Sequence, residues 1–115
     1  MAKYQQTATF AVGESETDSI TTNERTLVGL IITGSVITAS EVTFLVSMDD
    51  SSFYPLYNDE STEVSLTTGS YARSYSTNPL EFSGWKFIKA REGNSASAVN
   101  QATYDEGVIF VLDSV

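Results

Sequence analysis

The chain has 115 residues and contains neither Cys nor His, which removes disulfide staples, thiol and imidazole nucleophiles, and nearly every ligand set for a transition metal. Fifteen acidic residues against six basic ones leave a net charge of −9. A field of that sign repels nucleic acid and anionic membrane, both of which are bound chiefly through Lys and Arg. The length predicts a single domain over residues 1–115, and an apolar share of 41% with 11% aromatics supplies one core and excludes a disordered chain.

Met1-Ala2-Lys3 runs into the polar Tyr4-Gln5-Gln6-Thr7 rather than an apolar stretch with a small-residue cleavage site, so no signal peptide is expected and synthesis in a cytoplasm is the default. Tyr4 to Val12 carries Thr7, Thr9, Phe10 and Val12, which suit a strand, and Gly13-Glu14-Ser15-Glu16 ends it as a turn. Ser19-Ile20-Thr21 reads as a short edge strand. Thr26 to Thr33 is nearly continuous in apolar residues, and Gly29 with β-branched Ile31, Ile32 and Thr33 argues against a helix. This segment is expected in the middle of a sheet, buried on both faces, because left exposed it would aggregate.

Glu41 to Met48 alternates, with Val42, Phe44, Val46 and Met48 expected on one face and Glu41, Thr43, Leu45 and Ser47 on the other. Asp49-Asp50-Ser51-Ser52 predicts a hairpin loop returning through Phe53 to Tyr57, where Pro55 marks an edge or a bulge. Glu63 to Leu66 and Tyr71 to Tyr75 are further short strands, with Tyr71 and Tyr75 on one face. Asn78 to Gly84 is a loop with room for one helical turn. Trp85 to Arg91 is a strand, Glu92 to Ala98 a polar loop, and Gly107 to Asp113 a closing strand expected to be buried on both faces. Eight or nine short strands with regular turns define an all-β, single-domain antiparallel β-sandwich, jelly-roll-like.

Motifs for chemistry are absent from the sequence. There is no phosphate loop, no dinucleotide fingerprint and no nucleophile elbow, and without His no Ser-His-Asp triad can form. No enzymatic activity, no cofactor and no metal are expected. Asp49, Asp50, Asn58, Asp59 and Glu60 offer oxygen ligands of the type that holds calcium, yet they flank a strand about 15 Å long, and turn chemistry accounts for them without an ion.

Two groups remain as interface candidates. Lys86, Lys89 and Arg91 hold half of the basic charge on one strand, where they either dock an acidic partner or lie over apolar surface with their heads in solvent. Tyr54, Tyr57, Tyr71 and Tyr75, with Arg73 between the last two, either form an aromatic surface for sugar stacking or protein contact, or pack internally.

The succession Leu27-Val28-Gly29-Leu30-Ile31, then Val42 to Asp50, then Phe53-Tyr54-Pro55-Leu56-Tyr57, then Gly84 to Gly93 and Val99-Asn100-Gln101 resembles small β-sandwich structural proteins of tailed bacteriophages. The resemblance spans roughly residues 27–112. Where the family pattern has Ser, Thr and Pro, this chain has Glu92, Asn94 and Ala98. The resemblance implies a non-enzymatic virion protein made in the host cytoplasm and located on the phage head. Its role would be capsid decoration (cement), with a tail or neck accessory as the other implied place. The implied partners are the major capsid protein or other virion proteins, together with a homo-oligomer, a trimer among the options, and neither nucleic acid nor membrane. Residues 1–7 would then serve as a flexible or partner-docking arm. The alternative from the residues alone is a carbohydrate-binding module, with Tyr54, Tyr57 or Trp85 stacked on a glycan.

Overall fold

The computed structural model describes residues 3–34, 37–69 and 72–114. Among them are nine strands and one helical turn: β1 (Lys3–Phe10), β2 (Ile20–Thr21), β3 (Thr26–Ile32), β4 (Glu41–Ser47), β5 (Tyr54–Pro55), β6 (Ser65–Thr67), β7 (Arg73–Ser76), α1 (Pro79–Phe82), β8 (Phe87–Glu92) and β9 (Glu106–Asp113). All strand pairs are antiparallel. One sheet runs β1-β9-β3-β7 and the other β2-β8-β4, with β5 and β6 sharing the remaining edge of β4.

This order follows from winding one long ribbon. The chain pairs β1 with β9, β2 with β8, β3 with β7, and β4 with β5 and β6, and the ribbon then rolls so that β9 also meets β3 and β8 meets β4. The result is a two-layer, sandwich-like domain, as the strand pattern predicts. Pro55 lies on an edge strand, where its missing N–H leaves no ladder position empty.

Alternation sends Val42, Phe44, Val46, Ile88 and Ala90 inward from one sheet and Phe10, Ile32, Val108, Phe110 and Leu112 inward from the other. Leu27 and Leu30 are both fully buried although three residues apart, a spacing that a regular strand splits between faces. A register shift between Leu27 and Gly29 resolves the conflict by admitting Val28 as a bulge. Gly29 suits this close approach, since a Cβ would stand 3.1 Å from the Tyr75 carbonyl oxygen, a tight contact. Phe82 closes the core from α1, meeting Phe44 edge-on at 4.9 Å between ring centres. The turn that delivers it is capped by Asn78, whose side chain accepts from the Leu80 N–H, and opens on Pro79.

Several expectations need correction. The segment expected as an arm, 1–7, is from Lys3 onward part of β1 and is laddered to β9; Met1 and Ala2 lie outside the described residues. Met48 does not follow Val42, Phe44 and Val46 inward: β4 ends at Ser47, and Met48 is exposed. In β9 only one face is buried, because Gly107, Ile109 and Val111 stand outward and half-covered beside Thr9, Thr7 and Gln5 of β1. The continuous apolar run reads as two-sided burial, but antiparallel sheets tolerate half-buried β-branched residues on the solvent face.

Glu92 is a fully buried acid, and among the described residues one of its carboxylate oxygens is unsatisfied. It ends β8 on the inward side, opposite Val42, with no exposed surface. One carboxylate oxygen accepts from the N–H groups of Thr38 (2.9 Å) and Ala39 (3.0 Å), pinning the segment that enters β4; the other has no partner among the described residues. Burial pushes its carboxyl above the ordinary range, and the nearby Glu106 adds in the same direction. A raised folded-state value means that the ionised group opposes folding. Its contribution therefore improves as pH falls through that value and is complete below the unfolded one. Glu92→Gln keeps an oxygen for Thr38 and Ala39 while removing the charge. The expected result in urea denaturation is a flatter stability profile as pH rises above about 4.5, with a midpoint at neutral pH no lower than that of the parent chain.

Candidate functional site

The three cations of the predicted basic stripe have separate fates. Alternation along β8 turns Ile88 and Ala90 inward and Phe87, Lys89 and Arg91 outward. Arg91 is nonetheless buried: its guanidinium pairs with Glu63 and its Nε donates to Thr43 Oγ1 at 3.1 Å. Glu63 in turn accepts from the N–H and hydroxyl of Ser95, and the Ser95 hydroxyl bonds the Tyr57 hydroxyl at 2.8 Å. Arg91 thus ties the 93–98 turn and the Tyr57–Glu63 turn onto the outer face of the sheet. Lys89 sits 3.3 Å from Glu16 and 4.6 Å from the centre of the Phe53 ring. Lys86 alone keeps an exposed side chain, and Arg73 is exposed on β7 in the other sheet.

The tyrosines divide likewise. Tyr75, opposite Leu30, packs against the core with its hydroxyl buried and unpartnered. Tyr71 lies outside the described residues. Tyr54 and Tyr57 are exposed beside the β5 edge.

The acidic loops are built as turns. Asp49 Oδ1 accepts from the N–H groups of Ser51 and Ser52 and from the Ser47 hydroxyl, and these bonds hold its carboxyl below the usual range. Asn58 Oδ1 accepts from the Glu60 and Thr62 N–H groups in the same manner. The tight Asp49 turn is what lifts Met48 out of the strand.

Around these turns the structure assembles a surface centred on Trp85. Gly84, at φ +90°, reverses the chain after α1, a conformation that an L side chain rarely adopts. The Trp85 carbonyl then accepts from the Thr22 hydroxyl at 2.8 Å, and the Lys86 N–H donates to the Ser47 carbonyl at 3.2 Å. The backbone is therefore fixed on both sides of the residue. The indole packs on the core at one edge and is half-buried. Its remaining surface lines three concavities of about 540, 380 and 340 Å³.

Seven large apolar side chains are exposed among the described residues. Four of them, Met48, Tyr54, Tyr57 and Leu80, line these concavities with Trp85. Leu80, 85% exposed, has no packing role that accounts for its position. The flanks of the indole carry opposite charge. Asp59, Glu60 and Glu81 line the 540 Å³ groove, whereas Arg25, Lys86 and Glu24 line the 380 Å³ one.

The sequence reading singles out Tyr54, Tyr57 and Lys86 for this surface and misses Met48 and Leu80. Pro79 before Leu80 is the available signal: an apolar residue in the first turn of a one-turn helix has no inward stripe to join. The different placements of the cations have measurable consequences. Arg91→Ala leaves Glu63 unpaired and is expected to cost about 2–4 kcal/mol, while Lys86→Ala changes stability by no more than about 0.5 kcal/mol. Urea denaturation of the two variants measures the difference.

No protein-family model and no curated protein matches this sequence. Among solved structures, the chain is similar to the crystal structure of the SPBc2 prophage-derived protein YomS, with a TM-score of 0.55 and 15% identity over 97% of this chain and 95% of that one. At that identity the likeness is one of fold, and it extends over essentially the whole domain.

Proposed function

We propose that this chain is a non-enzymatic structural protein of a tailed-phage virion, a jelly-roll decoration (cement) protein that binds the major capsid protein and stabilises the head shell. The observation that carries the reading is the surface around Trp85. Its exposed apolar residues stand on turns fixed by side-chain hydrogen bonds, so they are presented without the ordering cost of a flexible loop. Clusters of this kind, an aromatic centre with a polar rim, carry most of the energy of protein–protein contacts. The fold shared with a prophage-derived protein and the order of short motifs in the sequence support the same reading. Repetition over a symmetric shell, or in a homo-oligomer, multiplies a weak single contact.

A second reading, a carbohydrate-binding module, draws on the groove where Tyr57 and Trp85 stand beside Asn58, Asp59 and Glu60. Aromatic platforms with nearby oxygen acceptors suit sugar rings and hydroxyls.

Mass spectrometry of purified particles should find the protein in stoichiometric amount, and labelling by electron microscopy should place it on the head rather than the tail or neck. Purified chain added to particles lacking it should co-sediment, with Trp85→Ala weakening the association about tenfold or more. Absence from virions overturns the reading. Glycan-array binding that Trp85→Ala abolishes in a folded protein moves the assignment to the module.

A further inference from the structure

We infer that the groove between the Asn58–Thr62 turn and α1 receives a cationic segment of the protein partner, with an Arg or Lys side chain laid against Tyr57 and Trp85 and facing Asp59, Glu60 and Glu81. The inference rests on the docking reading above and specifies the chemistry of the partner's contact. Three features of the groove support it.

The first is shape. At about 540 Å³ the groove is the largest of the concavities around Trp85, which suits an inserted side chain with part of its backbone. The second is the floor. Tyr57 and Trp85 line it together with Leu80, an aromatic and apolar lining of the kind that suits a guanidinium or a lysine stem. The third is charge. Asp59, Glu60 and Glu81 contribute three carboxylates, no Lys or Arg lines the groove, and none of the three acids forms an ion pair within the described residues.

That last feature separates a cationic ligand from a neutral one. A glycan gains from acceptors, but amides or hydroxyls supply those without net charge, whereas this lining carries three acids and no base. A cation pairs with those carboxylates and gains attraction from the rings. Arginine suits both, since its planar fork matches carboxylates and its face stacks on aromatics. The neighbouring concavity at Trp85 carries Lys86 and Arg25 with Glu24, a net positive lining that disfavours the same segment and so sets its direction across the surface.

The chain contains a single Trp, so its fluorescence reports on this site alone among tryptophan signals. The probes are a blocked Gly-Arg-Gly-Arg-Gly peptide, the same peptide with citrulline in place of arginine, and the neutral sugars cellotetraose and chitotetraose. The arginine peptide should change Trp85 emission saturably. The citrulline peptide should bind at least about fivefold more weakly, and the groove variant Asp59→Asn/Glu60→Gln/Glu81→Gln should weaken the arginine peptide by a similar factor. A variant with the same charge change outside the groove, Glu14→Gln/Asp18→Asn/Asp105→Asn, should bind as the parent does.

Equal response to citrulline, no saturable response to arginine, or equal weakening by the outside variant overturns the inference. Saturation by a neutral sugar without arginine binding overturns it in favour of a glycan site. Particle co-sedimentation separates the two levels. If the groove variant still binds particles as tightly as the parent while Trp85→Ala does not, the cationic contact is wrong and the docking reading stands. If the parent chain does not bind particles, the docking reading falls whatever the peptides show.

Discussion

β9 is paired with β1 along all eight of its residues and with β3 along its other edge, which places Lys3 opposite Asp113. The two ends of the chain therefore share a ladder, and the strand between β1 and β3 carries Val108, Phe110 and Leu112 into the core. Neither terminal strand can detach without stripping hydrogen bonds from a neighbour and exposing that inward row. The same constraint governs assembly. Long-range pairs must form against the entropy of closing nearly the whole chain into a loop before they return any stabilisation. The nested pairs β2 with β8 and β3 with β7 shorten that closure in steps, since each brings the next pair closer.

The site inherits its rigidity from this ladder. β8 is fixed by β2 on one side and β4 on the other, and Trp85 enters just before it, held through the Thr22 hydroxyl and the Ser47 carbonyl. Met48 leaves the end of β4 beside that same Ser47. Tyr54 opens the edge strand β5 and Tyr57 follows it, and Leu80 rides on the turn whose Phe82 is locked into the core against Phe44. Five apolar side chains distant in sequence thus meet because each lies within a few residues of a buried anchor. No single segment advertises the surface, and the ladder alone brings it together.

The strands were legible because alternation and turn residues are local properties. Val42-Thr43-Phe44-Leu45-Val46 declares its faces, and Asp49 and Asn58 declare turns through the side-chain acceptors that close them. What alternation cannot give is what lies across each face. Arg91 and Lys86 look alike in the sequence, yet one meets Glu63, 28 positions earlier, and is buried, while the other faces water. Leu45 and Thr43, placed by alternation on the face opposite Val42 and Phe44, are buried as well, with Arg91 beside Thr43, and Lys89 and Pro55 beside Leu45. Ile109 and Val111, read as buried on a second covered face, are half-covered on the outer face of the sheet, beside Thr7 and Gln5 of β1. Burial of an outward face depends on the loops that fold over it, and those are set by tertiary pairing. The bulge at Val28 belongs with these, since only the partner strand shows that Leu27 and Leu30 share a side.

Charge shows the same division between what composition records and what folding decides. A total of −9 predicts a diffuse field that salt screens within about 8–10 Å and that attracts any cation without selecting among them. Folding sharpens it by consuming basic groups internally. Arg91 is committed to Glu63, Lys89 to Glu16, and the Arg25 guanidinium lies 3.3 Å from the centre of the Tyr4 ring. Arg91 and Lys89 are thereby spent on Glu63 and Glu16 and are not shared with the other acids. Asp59, Glu60 and Glu81 are left uncompensated where the only indole of the chain is exposed, and Lys86 is left on the indole's other side. An aromatic centre between flanks of opposite sign has a direction, which a uniform acidic surface lacks. A partner must then match both the apolar shape and the order of charges across it, and that pairing of short-range fit with local charge order is what converts a general attraction into selective docking.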